Sequence, residues 1–230
     1  MPICRETLDF LFENRLHNSK TWYQEHKAQY QTLVLEPLQE LVERLGPTMF
    51  QIDPQLVIQP KVNKCISRIY RDTRYSKDKS LFRDVMWIVF IRDKHEFECP
   101  PGFVCEISPA GFRYGCGFYS VPPKYMEALR ELIFAQDKSY RTARRVVSRS
   151  PLFQLVGETY KRPRYADYPA QDADWLERRC VSCMHMSKDF DLLFSPRLGD
   201  VLAQGFTELK PVYEFFWKAW ERYRRDLSES

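Results

Sequence analysis

The spacing of apolar residues changes period twice along this chain, and that double change constrains the fold more than any other feature. Leu8, Leu11 and Phe12 recur at helical spacing over residues 5–17. A second helical pattern is capped at Asn18 or Ser19 and runs through "KTWYQEHKAQY" and "LVLEPLQELVERL" to a stop at Gly46-Pro47. Pro37 lies inside it, where a proline kinks or splits a helix. From about residue 57 the period becomes two. It predicts strands at about 64–71, 84–92, 103–108 and 111–119, with Ser108-Pro109-Ala110-Gly111 turning between the last two. Helical spacing returns over 123–135, 138–149 and 151–157, and again near 172–179 after the loop "YKRPRYADYPAQ". "CVSCMHMS" is a further candidate strand, and Ser195-Pro196 opens two helices that run to about 225. Successive strands with short connections pair antiparallel. The fold expected is therefore α+β, a mainly antiparallel sheet of four or more strands (about 64–119) packed by N- and C-terminal helices.

The 230 residues are 44% hydrophobic, with 16 Phe, 13 Tyr and 5 Trp, enough for a sizeable core. No Ser/Gly- or Pro-rich linker, internal repeat or low-complexity run divides them, so residues 1–230 read as one domain. Charges at Arg5, Glu6 and Asp9 stand where a signal peptide needs its apolar run. The longest apolar stretch, "VMWIVFI" at 85–91, falls far short of the roughly 20 residues a membrane span requires. Seven scattered cysteines do not form a disulfide framework. A cytoplasmic, reducing setting with no membrane partner is expected.

The net charge of +4 permits an anionic partner without requiring one, so the location of the charge matters more. It concentrates in "RIYRDTRYSKDKSLF", residues 68–82. Counting 68–84 gives six cations (Arg68, Arg71, Arg74, Lys77, Lys79, Arg83) against Asp72, Asp78 and Asp84. That surplus cannot all be paired internally. Arginine forks suit phosphate or carboxylate, and Lys79 adds a point charge. The ligand-binding candidates are Arg68, Arg71, Arg74, Lys79 and Tyr75. If the chain is an enzyme, Asp72 or Asp78 is the nearby candidate general base. The competing reading is a structural salt-bridge network, with Arg71–Asp72 and Asp78–Lys79 as ion pairs, in a non-enzymatic module that meets a protein or a nucleic acid.

Three other features bear on function. In "GFRYGCGFY", Gly115 and Gly117 leave one face of a strand bare, either to floor a ligand pocket or to let a helix pack closely on it. In "KSYRTARRVVSR", Lys138, Arg141, Arg144, Arg145 and Arg149 share one helical face opposite Tyr140, Ala143 and Val147. This is a possible nucleic-acid contact, less favoured than a small anion; Trp217 and Trp220 near the C-terminus read as core. Cys180, Cys183 and His185 lack both the tight turn and the second ligand pair of a zinc site, so no metal is expected. The phosphate-loop, dinucleotide-fingerprint, nucleophile-elbow and zinc-protease motifs are absent, and no cofactor is implied.

The pattern Arg68-x-x-Arg71-Asp72-x-Arg74-Tyr75-Ser76-x-Asp78-Lys79-x-x-Phe82 resembles the signature of a family of conserved hypothetical proteins, domain of unknown function 2461. "HNSKTWY", "GCGFY" followed by Pro122 and "LRELI", and "LKPVYEFF" resemble other parts of that family, so the likeness covers most of the chain. It implies a fold and a charged signature but no reaction. Phe82 stands where the signature carries Tyr, which removes a hydroxyl from this position, and Tyr75 stands where Phe is commoner. "PRYADYP" places Tyr168 before Pro169 where the family tends to have His-Pro, so no histidine acid/base is available there.

Overall fold

The computed structural model describes residues 2–74, 77–118 and 121–228. Its first helix, α1 (Arg5–His17), presents Thr7, Leu8, Phe10, Leu11 and Asn14 to the interior. It ends at Asn18 in the left-handed conformation, φ 48°, which asparagine tolerates better than most residues. Ser19 then caps α2 (Lys20–Glu25), its hydroxyl accepting from the Trp22 N–H at 3.4 Å. The chain continues through α3 (Lys27–Gln29) and a π-helical segment (Tyr30–Leu35) into α4 (Glu36–Ile52).

Pro37 does split the second helical pattern, and its chemistry explains how. Proline offers no N–H to the carbonyl four residues back, that of Leu33. The Thr7 hydroxyl donates to this carbonyl at 2.7 Å and also accepts from the Cys4 N–H at 3.1 Å. The expected stop at Gly46-Pro47 is not observed. Pro47 is exposed and Glu43, whose carbonyl it leaves without an N–H, is exposed too, so water can serve that group. Met49 and Ile52 prolong the buried stripe of Leu38, Leu41, Val42 and Leu45, which carries α4 one turn further.

Five strands hydrogen-bond in the order β1-β2-β3-β5-β4 in an antiparallel sheet, and helices flank it. They are β1 (Met86–Ile91), β2 (Gly102–Ser108), β3 (Gly111–Gly117), β4 (Gln154–Val156) and β5 (Ser182–Ser187). The architecture is α+β, as the period changes require. In β1 burial alternates, with Met86, Ile88 and Phe90 inward. The β2–β3 hairpin turns where expected: the Ser108 hydroxyl donates to Gly111 O at 3.1 Å, and Gly111 sits at φ 134°. Tyr119, at the end of the strand expected over 111–119, lies outside the described residues.

Two expected elements are corrected. Residues 64–71 form isolated bridges rather than a strand, Ile66 with Ile88 and Tyr70 with Phe82. The pairing partner changes between those bridges, and the Ser67 side chain accepts from the Trp87 N–H at 3.0 Å, so no continuous ladder forms. Residues 151–157 contain β4 instead of a helix. The Ser150 hydroxyl accepts from Phe153 N at 3.2 Å, turning the chain out of the helix before it, and Gln154, Leu155 and Val156 pair with Met184, Cys183 and Ser182. "CVSCMHMS" supplies β5, as its pattern suggested.

The remaining helices are α5 (Pro123–Phe134), α6 (Lys138–Arg149), α7 (Ala170–Leu176), α8 (Phe190–Leu193), α9 (Leu198–Glu208) and α10 (Lys210–Ser228). The residues cluster in two compact units. The first comprises Met1–Phe90, Val104–Tyr114 and Met186–Gln204, with a core that includes Leu11, Val34, Leu45, Phe82 and Ile88. The second comprises Ile91–Phe103, Gly115–His185 and Gly205–Ser230. There α10 packs on α5 and α6 around Tyr125, Tyr140, Trp175, Phe215 and Phe216. Trp217 and Trp220 stack at 4.9 Å and are buried, as their apolar setting implied. Among the described residues no helix is long and apolar enough to cross a membrane.

Candidate functional site

The signature stretch is built on a narrow antiparallel neck. The Arg71 N–H donates to Leu81 O at 2.8 Å and the Arg83 N–H to Ile69 O at 2.9 Å, which brackets the Tyr70–Phe82 bridge. Phe82 is fully buried, with ring centroids 5.2 Å from Tyr23 and 4.9 Å from Tyr70. A tyrosine here would extend its hydroxyl from within this aromatic cluster. Tyr75 and Ser76 lie outside the described residues.

Helix α1 fastens the lobe at two points. Asn18 Oδ1 accepts from the Leu81 N–H at 2.6 Å. Arg15 reaches two carboxylates, Nη2 donating to Asp78 Oδ2 at 3.1 Å and Nη1 to Asp84 Oδ1 at 3.2 Å. Asp78 also pairs with Arg71 at 3.4 Å, and its Oδ1 accepts from Ser80 N at 2.9 Å. Asp72 takes Arg74 in a two-pronged fork, Nε at 3.0 Å and Nη2 at 2.7 Å, and accepts from the Arg74 N–H. Lys79 Nζ donates to the carbonyl of Thr73 at 2.7 Å, and the Arg83 guanidinium lies over the Trp87 ring at 4.4 Å.

These contacts fix the ionisation of the two aspartates. The Arg74 side chain, then its backbone N–H, hold the Asp72 carboxyl well below the usual carboxylate range, and the Arg68 charge adds to this. The Ser80 backbone N–H is the main cause that lowers Asp78, with Arg71 and Arg15 contributing. Both are anionic at neutral pH. The cations are less evenly served. Arg68 and Lys77 are exposed and form no hydrogen bond or ion pair among the described residues, and Lys79 bonds only to an uncharged carbonyl. Arg15 raises the local count to seven cations against three aspartates.

Sequence reasoning missed Arg15, because it stands 63 and 69 residues from the carboxylates it joins. It also missed Asn14, one helical turn before Asn18. That side chain is completely buried, and neither its Oδ1 nor its Nδ2 meets a hydrogen-bonding group among the described residues. No local signal in the sequence separates Asn14 from an exposed helical asparagine.

Other candidate residues are not gathered at this lobe. Gly115 and Gly117 belong to the second unit and the lobe to the first. A Cβ on Gly115 would lie 2.0 Å from Cys183 O, and one on Gly117 would lie 2.0 Å from Ser182 Oγ. The space above both glycines is filled by β5, so the close neighbour is a strand. On α6, Lys138, Arg141, Arg145 and Arg149 are exposed, but Arg144 turns inward to Asp172 at 2.6 Å, where Tyr140 and Gln136 also donate. Cys183 is buried, which pushes its thiol up to about 12, while His185 Nδ1 meets Leu152 O at 3.1 Å. Among the described residues no group of three or more His, Cys, Asp or Glu side chains is placed to hold a metal. A cleft elsewhere in the first unit, lined by Ile3, Leu41, Leu193 and Leu198, is edged by Arg44 and contains no signature residue.

Fold and lobe together define an α+β protein whose N-terminal helices clasp an arginine- and aspartate-rich signature. The model of a family described as conserved hypothetical protein (DUF2461) matches residues 6–215, and the chain belongs to that family. No curated protein matches the chain.

Proposed function

We propose that the lobe spanning residues 68–84, with Arg15 of α1, binds a small anionic, phosphate-bearing ligand. The observation that carries this reading is the unequal pairing of charge. Asp72, Asp78 and Asp84 are each engaged by arginine, whereas among the described residues Arg68, Lys77 and Lys79 form no ion pair with a carboxylate. Cations gathered on one short stretch of chain repel one another, and a multivalent anion relieves that repulsion. In this reading Asp72 and Asp78 set the direction of Arg74, Arg71 and Arg15 and do not accept protons, since each already accepts several hydrogen bonds. The seven cysteines stand free, which suits a reducing, cytoplasmic setting.

Isothermal titration of the protein with inorganic phosphate and with pyrophosphate tests the reading. Wild type is expected to bind pyrophosphate more tightly than phosphate. The double variant Arg68→Gln/Lys79→Gln is expected to lose at least about tenfold in affinity, roughly 1.4 kcal/mol. No heat of binding for either anion, or equal binding by the double variant, refutes the proposal.

A further inference from the structure

Helix α6 is the second place where cations outnumber carboxylates, and its arrangement is simpler than that of the lobe. Its twelve residues carry five cations and no acid. Four of the five, Lys138, Arg141, Arg145 and Arg149, are exposed, and their side chains make no hydrogen bond or ion pair among the described residues. Their spacing of three, four and four residues places them along one side of the helix. Eleven residues at 1.5 Å per residue make this ridge about 16 Å long.

The neighbouring acids are turned elsewhere. Asp137, the N-cap, accepts at Oδ2 from Lys218 Nζ at 2.7 Å and at Oδ1 from the Ser139 N–H at 2.8 Å. Asp172 is buried and holds Arg144, Tyr140 and Gln136. The ridge is also set against the local stability of its own helix. Lys138 adds a positive charge at the positive end of the helix dipole. Arg141 and Arg145, and Arg145 and Arg149, are like-charge neighbours four residues apart, where a Glu would have been favourable. A face that opposes its helix in this way, with Asp137 and Asp172 already engaged, is arranged to meet an external polyanion.

The surroundings select which polyanion. The apolar side of α6, Tyr140 and Ala143, is buried and α10 packs against the helix, so it has no apolar face to enter a lipid interface. A protein interface buries an apolar core within its polar rim, and the exposed ridge holds only cations. Nucleic-acid backbone requires no more than charge. One strand of a duplex presents a phosphate every 3.4 Å or so along the axis, so a 16 Å ridge spans about five of them. We propose that the Lys138–Arg141–Arg145–Arg149 ridge is a sequence-independent contact for the phosphate backbone of nucleic acid, independent of the anion site in the first unit.

The test is fluorescence anisotropy of the full chain with two 20-base-pair DNA duplexes of unrelated sequence, titrated between 50 and 200 mM KCl. The expected result is equal affinity for both duplexes and a salt slope near −3.6, about 0.9 for each of four phosphates. Changing all four residues to Gln is expected to abolish binding. If that variant does not fold, Arg145→Gln/Arg149→Gln is expected to lower the slope by about 1.8. A control variant, Lys20→Gln/Lys27→Gln/Lys61→Gln/Lys64→Gln, removes the same charge from exposed sites of the first unit and is expected to bind like wild type. Absence of binding at 50 mM KCl overturns the proposal, and so does equal loss in the control. Ridge-dependent binding to phosphatidylserine vesicles without binding to DNA overturns it as well.

Discussion

Asp72 and Asp78 are alike in sequence, each an aspartate among cations, yet they are engaged at different ranges. Asp72 is held by Arg74, two residues away, while Asp78 is held by Ser80, Arg71 and the distant Arg15. Spacing marked this stretch as charged and suggested the pairs Arg71–Asp72 and Asp78–Lys79, but the pairs observed are Arg74–Asp72 and Arg71–Asp78, and the contribution of α1 was not legible. The same holds for Asn14, whose burial depends on how α1 packs and not on its neighbours in sequence. An amide buried with neither group bonded costs about 1–3 kcal/mol. Asn14→Leu, of similar size and apolar, is thus expected to leave the protein as stable as wild type or about 1 kcal/mol more so, read from the urea midpoint. A loss above about 2 kcal/mol contradicts this account of Asn14.

Among the elements, the helices with a long apolar stripe and the hairpin were legible because several residues repeat one signal. The segments 64–71 and 151–157 were not, since short apolar runs fit either period and contacts beyond the segment decide them. The split second helix shows one such contact. Thr7→Val keeps the shape of Thr7 but removes the hydroxyl that serves both Cys4 N and Leu33 O. It is expected to cost about 2 kcal/mol, measured by chemical unfolding. In the second unit Asp172 performs a similar task for α6. Burial raises its carboxyl, but the hydrogen bonds from Tyr140 and Arg144 outweigh burial and the net direction is down. Asp172→Asn leaves Arg144 without its counter-charge and is expected to cost about 3 kcal/mol, the low end for a buried pair, because Arg144 keeps an edge in water. Asp137, whose net shift is down to about 2, acts in the same direction through its bonds to Lys218 and Ser139. Both carboxyls are depressed in the folded chain, so their stabilisation is complete above the ordinary value near 4. It is lost as pH falls below that value, in the case of Asp137 toward about 2. Wild-type stability should decline over that interval, and Asp172→Asn should decline less. Equal decline in both contradicts the assignment.

At the scale of the whole molecule, the α+β class and the antiparallel sheet were legible in the two changes of period. The crossing of the chain between two compact units was not, since it depends on residues brought together from distant parts of the sequence. The charge is divided in a comparable way. Positive charge gathers in a lobe on the first unit and a ridge on the second, each with exposed cations that form no ion pair among the described residues. The central claim is that the surplus at the lobe exists for a ligand and is not a brace for the fold. Urea unfolding of wild type and of Arg74→Ala, each with and without phosphate, tests it most directly. Arg74 is three-quarters exposed, so without phosphate the variant is expected to unfold at nearly the wild-type midpoint. Phosphate at a hundredfold excess over its dissociation constant is expected to stabilise wild type by about 2.7 kcal/mol, and the variant by much less. A severely destabilised Arg74→Ala, alongside a wild type that does not respond to phosphate or pyrophosphate, would contradict the account.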